Sequence, residues 1–324
     1  MVSILSIDGG GIRGIIPATF LMELERRTGK SICNLFDIIA GTSTGGILAV
    51  ALTVPDGQGK PKYTAEQIRA AYFEYGDAIF HRRLLHSVST LGGFLRPTYS
   101  PHALELVLGQ HLGSSRLHST LTEILVTAYD IGDSNPWFFK TSFAKENRNP
   151  VDDPLLSQVV RATTAAPTYF PPVSLDDHCL IDGVVFAGNP ALCAYAQARN
   201  MFPLENEFLV VSLGTGVQEH DRLCSEIRNW GTAEWAGSII GIMLNASSES
   251  VNYQMRTLVG SKNYHRFQVK LESNAAAMDD TSTENMHRLL FIAEQAVRQE
   301  SAAIDQISQT LGNRSIRQIP LILS

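Results

Sequence analysis

The stretch from Gly41 to Gly45, with the sequence Gly-Thr-Ser-Thr-Gly, is the part of this chain best suited to covalent chemistry. Largely apolar residues 35–40 precede it and apolar residues 46–52 follow it, which predicts a strand, a sharp turn at Ser43 and a buried helix. In a nucleophile elbow, the serine hydroxyl is exposed at a helix N-terminus whose dipole favours negative charge. The pattern therefore predicts that Ser43 attacks an acyl carbon. A chain of this length has roughly a one-in-ten chance of containing the pattern at random, so further motifs are needed.

A glycine-rich segment after the first predicted strand can supply donors for the oxyanion that such an attack creates. It reads Asp8, Gly9, Gly10, Gly11, Ile12, Arg13, Gly14. Consecutive glycines leave backbone N–H groups uncovered at the start of a helix, and such a nest binds anions. The spacing also fits a dinucleotide fingerprint, but that fold needs an acidic residue where the second strand here ends in the serine turn. A P-loop is excluded because no Lys-Ser/Thr pair follows the glycines.

The base that accepts the serine proton is harder to assign. Three histidines lie downstream of Asp182, where a Ser-His-Asp hydrolase would have its histidine: His220, His265 and His287. None falls in a compelling loop, since the second lies in a predicted strand and the third on a predicted helix. Asp182 ends a short apolar strand and precedes Gly183, so its carboxylate is expected at the same sheet edge as Ser43. A carboxylate serves as the base when desolvation raises its pKa, although an isolated Asp-Gly pair is by default a turn.

Strands and helices alternate along the chain, which is typical of a sheet covered on both faces. Besides the strand before the serine turn, apolar runs predict strands at residues 2–7, 121–129, 137–141, 179–181, 207–213 and 264–270. Helices are predicted from Ile15 to Gly29, from Thr64 in a capping box with Gln67, between Pro154 and Pro167, from Asn189, at 233–256 and at 283–300. Without repeats or long linkers, the chain is expected to form one domain over 1–324, with its motifs within 4–200 and 201–324 in the same domain.

Composition narrows the classes of function. The 324 residues are 44% hydrophobic and 18% charged, with a net charge of −6, which describes a globular protein with a sizeable core. The negative charge gives no support to nucleic-acid binding or to long-range attraction to anionic membranes. Residues 1–7 do not resemble a signal peptide, and no apolar run approaches the ~18 residues that span a bilayer. The four cysteines lack metal-ligand spacing and are expected to be reduced. We expect a cytoplasmic protein with no metal and no cofactor.

Taken together, these motifs resemble those of the patatin-like phospholipases, and in particular the plant patatins. The resemblance covers nearly the whole chain in the right order. It rests on the glycine loop, the serine turn, the segment before the aspartate, the aspartate motif and two C-terminal segments: Asp8–Gly14, Gly41–Gly45, Ala165–Phe170, Asp182–Val184, Ser212–Gly216 and Met278–Asp280. It implies a three-layer α/β/α fold with a mainly parallel central sheet.

The resemblance implies a Ser-Asp dyad without a catalytic histidine. Ser43 would be the nucleophile and Asp182 the general base. The amides of Gly10 and Gly11 would form the oxyanion hole, with Arg13 bracing that loop or facing the substrate headgroup; a structural ion pair is the plain alternative for Arg13. Val184 stands where the family has glycine or alanine. Because valine is bulkier and disfavours positive φ, the aspartate could be shifted.

The implied function is a lipid acyl hydrolase that cleaves carboxylic ester bonds of phospholipids or galactolipids through an acyl-enzyme. Its partner would be a lipid substrate at a membrane or micelle surface. Two alternatives stay open: a signal-gated effector that degrades membranes, and a non-enzymatic storage or interaction protein. Leu91–Leu95 and the basic cluster of His81, Arg82, Arg83 and His86 are candidates for lipid contact, or else core residues and a solvated helix end.

Overall fold

The apolar runs assemble into one mostly parallel sheet in the computed structural model, which describes residues 1–81, 97–147, 149–218, 224–228, 230–272, 275 and 277–314. Its strands are β1 (Val2–Ile7), β2 (Ile38–Thr42), β3 (Glu123–Asp130), β4 (Asn135–Lys140), β5 (Val173–Leu175), β6 (His178–Asp182), β7 (Phe208–Leu213) and β9 (Tyr264–Phe267). A separate pair consists of β8 (Val217–Gln218) and β10 (Lys270–Leu271).

The helices between the strands are α1 (Ile15–Thr28), α2 (Thr44–Ala51), α3 (Ala65–Ile79), α4 (His102–Leu112), α5 (Thr141–Glu146), α6 (Leu156–Thr163), α7 (Val184–Ala187), α8 (Ala191–Met201), α9 (Cys224–Ile227), α10 (Thr232–Val259), α11 (Thr283–Gln299) and α12 (Ser301–Gly312). In the described part of the chain, no helix combines the length and the apolar character that crossing a membrane requires.

Strand order explains how distant motifs come together. β3, β2, β1, β7 and β9 are neighbours in that order and run parallel. β4 and β6 both pair antiparallel with β3, and β5 pairs antiparallel with β6. Since β7 and β9 lie in the same sheet as β1, residues beyond 200 belong to the same layered structure. The boundaries of the domain, 1–324, stay a prediction.

Side chains of the central strands alternate between two cores, as a strand's period of two requires. Leu5, Ile7 and Ile39 pack on the face that carries α1 and α2. Ile4, Ile38 and Ala40 pack on the other face, against α8 and Met255 of α10. Helices therefore cover both sides of the sheet, and the prediction of a three-layer α/β/α fold is confirmed.

Local signals placed several helix ends correctly. Gly29 ends α1 with φ 65°, the left-handed conformation that glycine adopts without strain. Thr64 and Gln67 form the predicted capping box at the start of α3. The sequence patterns did not predict the helices α4, α5, α7, α9 and α12 or the strands β5 and β8, and the last predicted helix ended at residue 300. Glu300 caps both α11 and α12 without a glycine or proline between them, so no breaker marks the boundary.

Candidate active site

Ser43 lies at a strained turn between β2 and α2. Its backbone has φ 55° and ψ −121°, a region that side-chain-bearing residues rarely occupy and that marks functional strain when the surroundings enforce it. Gly45 allows the turn, because a Cβ there would lie 2.1 Å from the carbonyl oxygen of Ile7. The Ser43 N–H donates to Thr163 Oγ1 at 2.8 Å, and that hydroxyl donates to the Thr127 carbonyl at 2.7 Å. Thr163, at the end of α6, thus links the backbone of the turn to β3.

Asp182 comes to Ser43 through the register of β3. Thr42, the last residue of β2, pairs with Thr127, and Asp182, the last residue of β6, pairs with the next residue, Ala128. Because β4 pairs with the same part of β3 on its other side, β6 must continue along the side where β2 ends. The carboxyl ends of β2 and β6 therefore meet end to end, which brings Ser43 and Asp182 together.

The surroundings of Asp182 suit a proton acceptor. Its side chain is 1% exposed, and Oδ1 accepts the Val184 N–H at 2.8 Å. Burial raises the pKa of Asp182 to about 7, while the nearby Ser43 hydroxyl and the Val184 N–H act to lower it. Oδ2 has no aligned hydrogen bond in the described residues, so Ser43 approaches the carboxyl without the ideal geometry. Such contacts in enzymes often align only when substrate binds.

The glycine loop follows β1 and faces the same end of the sheet. The Gly9 N–H donates to the Gly188 carbonyl and the Ile12 N–H to the Met278 carbonyl. Among the described residues, the N–H groups of Gly10 and Gly11 donate to no acceptor. Gly11 has φ 58°, and a Cβ there would lie 2.1 Å from the Met278 carbonyl oxygen. The loop thus presents two uncommitted donors, as an oxyanion hole requires.

Arg13 braces the glycine loop and also borders a cavity. Its Nε donates to the Gly10 carbonyl at 3.3 Å, and its side chain is 7% exposed. Burial lowers the pKa of Arg13 to about 10, which still leaves it cationic at neutral pH, and the charges of Tyr169 and Asp8 oppose that shift. A cavity of about 140 Å³ adjoins the loop, and its lining includes Arg13, Val184 and, on α10, Leu244, Asn245 and Ser248.

Val184 fits the site without strain. It is the first residue of α7, and the described residues with positive φ do not include it. The close approach falls on Gly183 instead, where a Cβ would lie 2.2 Å from Thr127 Oγ1. The third position of the aspartate motif therefore needs no small residue here.

The remaining predicted residues divide into those at the site and those elsewhere. Gly9 and Gly41 flank the serine turn, and Gly14 packs against Tyr72. In the part of the chain that the structure describes, neither Ser43 nor Asp182 hydrogen-bonds to a histidine; His265 lies in β9 and His287 on α11. His220 and residues 82–96, which include most of the proposed lipid-contact segments, lie outside the described residues.

One group of side chains has the composition of a metal site. Asp130, Asp133 and His178 come within reach of a shared ion. Hydrogen bonds account for this arrangement, since His178 Nδ1 lies 2.6 Å from Asp130 Oδ2 and the other oxygen of Asp130 accepts backbone N–H groups of Gly132 and Cys179. Asp130 ends β3, Asp133 lies in the turn between β3 and β4, and His178 begins β6.

Sequence reasoning missed the threonines that hold the turn. The Thr42 hydroxyl donates to the Ala187 carbonyl and pairs with Thr127 Oγ1 at 2.7 Å. Thr163 supports the Ser43 backbone from the end of α6. These threonines lie in strands and a helix with no distinguishing spacing, so the sequence carries no signal for their role.

Comparisons with known proteins identify the family of this chain. The profile of the patatin-like phospholipases matches residues 5–195. The chain is 34% identical to patatin-like protein 2 of Oryza sativa subsp. indica, over 94% of this chain and 86% of that protein. It is 34% identical to patatin group J-1 of Solanum tuberosum, over 91% and 83% of the two chains. The crystal structure of VipD from Legionella pneumophila aligns with a TM-score of 0.45 and 13% identity, over 92% of this chain and 67% of that one. By its matched profile and its identity to the rice and potato proteins, the chain belongs to the patatin-like phospholipases, a family of lipid acyl hydrolases that cleave ester bonds.

Proposed function

We propose that this protein hydrolyses carboxylic ester bonds of phospholipids or galactolipids through a Ser43–Asp182 dyad and an acyl-enzyme. The observation that carries the proposal is the end-to-end meeting of β2 and β6 beside two uncommitted N–H groups. In this proposal Ser43 supplies the nucleophile, the buried Asp182 the base and the glycine loop the anion donors, the three components that acyl transfer requires.

The first half-reaction forms the acyl-enzyme. Ser43 Oγ attacks the ester carbonyl carbon while Asp182 accepts the hydroxyl proton. The N–H groups of Gly10 and Gly11 bind the oxyanion of the tetrahedral intermediate. When that intermediate collapses, the bond to the alcohol oxygen breaks and the protonated Asp182 returns its proton to the leaving lysolipid alcohol.

The second half-reaction releases the fatty acid. A water molecule attacks the acyl carbon, and Asp182 accepts one of its protons. Collapse of the second tetrahedral intermediate breaks the bond to Ser43 Oγ, and Asp182 gives the proton back to that oxygen. A pKa of about 7 suits this alternation, because a base with a pKa near the working pH can both take and return a proton.

A substrate panel tests this proposal. The wild-type protein is expected to release fatty acid from a short-chain ester, from phosphatidylcholine and from a galactolipid. Release of fatty acid would be followed by titration or mass spectrometry, with enzyme-free lipid as the blank. Hydrolysis of the short-chain ester alone would contradict the lipid assignment. Inactivity toward all three by a folded protein would contradict hydrolysis without an activating signal and favour the gated or non-enzymatic alternatives.

For the lipid surface, we propose that the first half of α10 contacts the membrane. Trp235, Ile239, Ile242 and Met243 are 39–62% exposed, and their spacing places them on one side of the helix. Leu244, Asn245 and Ser248 on the opposite side line the cavity beside the glycine loop. One helix would thus touch lipid with one face and border the cavity beside the glycine loop with the other.

Replacing Met243 with aspartate tests this surface. The variant is expected to bind phosphatidylcholine vesicles at least about fivefold more weakly, because a charge replaces apolar contact, while hydrolysis of a soluble short-chain ester is unchanged. Vesicle co-sedimentation measures the binding. Leu204→Asp is the matched control: Leu204 is 94% exposed but precedes β7, at the opposite end of the sheet. Equal vesicle binding by Met243→Asp and the wild type would contradict the assignment.

A further inference from the structure

A buried arginine reaches across the sheet to the start of the glycine loop. Arg266, in β9, contacts both carboxylate oxygens of Asp8, the residue directly after β1, at 2.9 and 2.5 Å. The two side chains are 3% and 7% exposed. The intervening strand β7 provides Ser212, whose Oγ accepts from the same guanidinium at 3.0 Å. This two-pronged contact fixes the direction of the Asp8 side chain as well as its distance.

Asp8 is the point from which the glycine loop departs. Its N–H still continues the sheet, donating to the Leu213 carbonyl at 3.0 Å. The next residues are Gly9, Gly10 and Gly11, which have no side chains to fix the path of the backbone. Thr215 donates to the Gly9 carbonyl at 2.6 Å and secures the first of them. Asp8 is therefore one anchor for the uncommitted N–H groups at Gly10 and Gly11, together with the contact of Arg13 with the Gly10 carbonyl.

The ion pair between Arg266 and Asp8 also neutralises the negative charge beside those donors. An unpaired carboxylate next to an oxyanion hole would repel the negative charge that develops there. Burial raises the pKa of Asp8, and Arg266 opposes that rise through its charge and hydrogen bonds. Glu249 on α10 adds a further negative charge nearby, and Arg13 adds a positive one. Arg266 compensates the carboxylate at the root of the loop.

A second contact joins this pair to the cavity wall. Arg266 Nη2 also donates to Ser248 Oγ on α10 at 3.2 Å. Ser248 lines the cavity beside the glycine loop. The guanidinium thus connects β9, β7, α10 and the loop.

We infer that Arg266 is a positioning residue for ester hydrolysis, which holds the Gly10 and Gly11 donors in place through Asp8 and is itself held by Ser248. The inference rests on the proposed function, because it assigns a role within that reaction. Arg266 touches neither Ser43 nor Asp182 in the described residues. Because the donors that it positions bind the oxyanion, its loss is expected to destabilise the transition state and to leave substrate binding largely unchanged.

Arg266→Lys tests the inference, because it keeps the positive charge and removes the fork. Loss of one oxyanion donor costs about 10²–10³ in rate. Misplacing the donors is therefore expected to lower kcat by about 10- to 100-fold, with KM changed less than about threefold. The rate at which a phosphonate ester inactivates Ser43 should fall in parallel, since that reagent forms a tetrahedral adduct. If Arg266 has only a structural role, Arg266→Lys should lower Tm without lowering kcat selectively relative to KM.

Arg314→Lys is the matched control. Arg314 Nη2 lies 2.8 Å from Asp37, which precedes β2 and so lies at the end of the strand opposite Ser43. This variant should lower Tm and leave kcat unchanged. If Arg266→Lys does not fold, Ser248→Ala removes one of its contacts, and kcat should fall by about two- to fivefold. A folded Arg266→Lys with wild-type kcat, or a Ser248→Ala with wild-type kcat in the absence of folded Arg266→Lys, overturns the inference.

The outcome stays separate from that of the proposed function. Activity in the wild type that disappears in Ser43→Ala supports the proposed chemistry whatever Arg266→Lys does. Inactivity of the folded wild type toward every ester would contradict the proposed function, and with it the positioning role.

Discussion

Replacing Ser43 with alanine is expected to abolish ester hydrolysis, lowering kcat by about 10⁶-fold, the loss seen when a serine hydrolase loses its nucleophile. The proposed route forms a covalent acyl-enzyme on Ser43 Oγ. The two neighbouring hydroxyls of the turn already have hydrogen-bond partners, Thr42 the Ala187 carbonyl and Thr44 the Tyr72 hydroxyl. The measurement is fatty acid release from a short-chain ester, together with mass spectrometry of the phosphonate-treated protein. The wild type should gain the mass of the adduct and Ser43→Ala should not.

Ser43→Gly supplies the control for folding. Glycine accepts φ 55° freely, whereas alanine keeps the strain of about 1–3 kcal/mol that such a backbone stores. The glycine variant should therefore unfold at a higher temperature than the alanine variant and be equally inactive. Substantial hydrolysis by either variant would assign the nucleophile to another residue.

Replacing Asp182 with asparagine is expected to lower kcat by about 10²–10⁴-fold, the usual contribution of a general base. Asparagine keeps the size of the side chain and can still accept the Val184 N–H, but it cannot take the serine proton. Asp130→Asn is the matched control, because Asp130 is also buried and lies in the neighbouring strand β3. It should keep kcat within a few-fold. Activity retained in Asp182→Asn and lost in His265→Gln would restore a histidine mechanism.

The pKa of Asp182 adds a pH signature to this prediction. Activity of the wild type should rise with pH and level off above about 7, because the base works only when ionised. Stability should follow the opposite course. The pKa of Asp182 in the folded state lies above the ordinary aspartate value of 3.8. The folded state therefore binds the proton more tightly, and ionisation costs stability progressively between about pH 4 and 7. A pKa raised from 3.8 to about 7 corresponds to a loss of about 4 kcal/mol at most in the free energy of unfolding. Asp182→Asn should therefore be stabilised relative to wild type at pH 8 and not at pH 4, as denaturant unfolding would measure.

Much of the fold follows from patterns within single segments. Apolar runs located β1, β2 and β7, and Thr64 with Gln67 marked the start of α3. The layered architecture then follows from the alternation of strands and helices. The helix boundary at Glu300 was missed because no glycine or proline marks it.

The site shows where local patterns stop being informative. Asp182 was expected beside Ser43 because it ends a strand. However, β6 runs antiparallel to β3, and the carboxyl end of an antiparallel strand normally lies at the edge of the sheet opposite the carboxyl ends of its parallel neighbours. The two residues meet because β6 pairs with the part of β3 that lies beyond the end of β2. No local sequence pattern indicates this pairing register. Arg266 was placed within a predicted strand and given no role. Its contact with Asp8 crosses β7, and such a long-range pairing leaves no periodic trace in one sequence.

The meeting of β2 and β6 also makes catalytic competence a late event in folding. β3, β4 and β5 all lie between these two strands in the chain, so Ser43 can fold into its turn well before Asp182 is delivered to it. Pairings between distant segments form slowly, because a long loop must be closed before they stabilise anything. In the proposed mechanism, a chain interrupted before β6, whether on the ribosome or by a protease, would carry the nucleophile without its base. Hydrolytic activity would then report that the sheet has closed as far as β6.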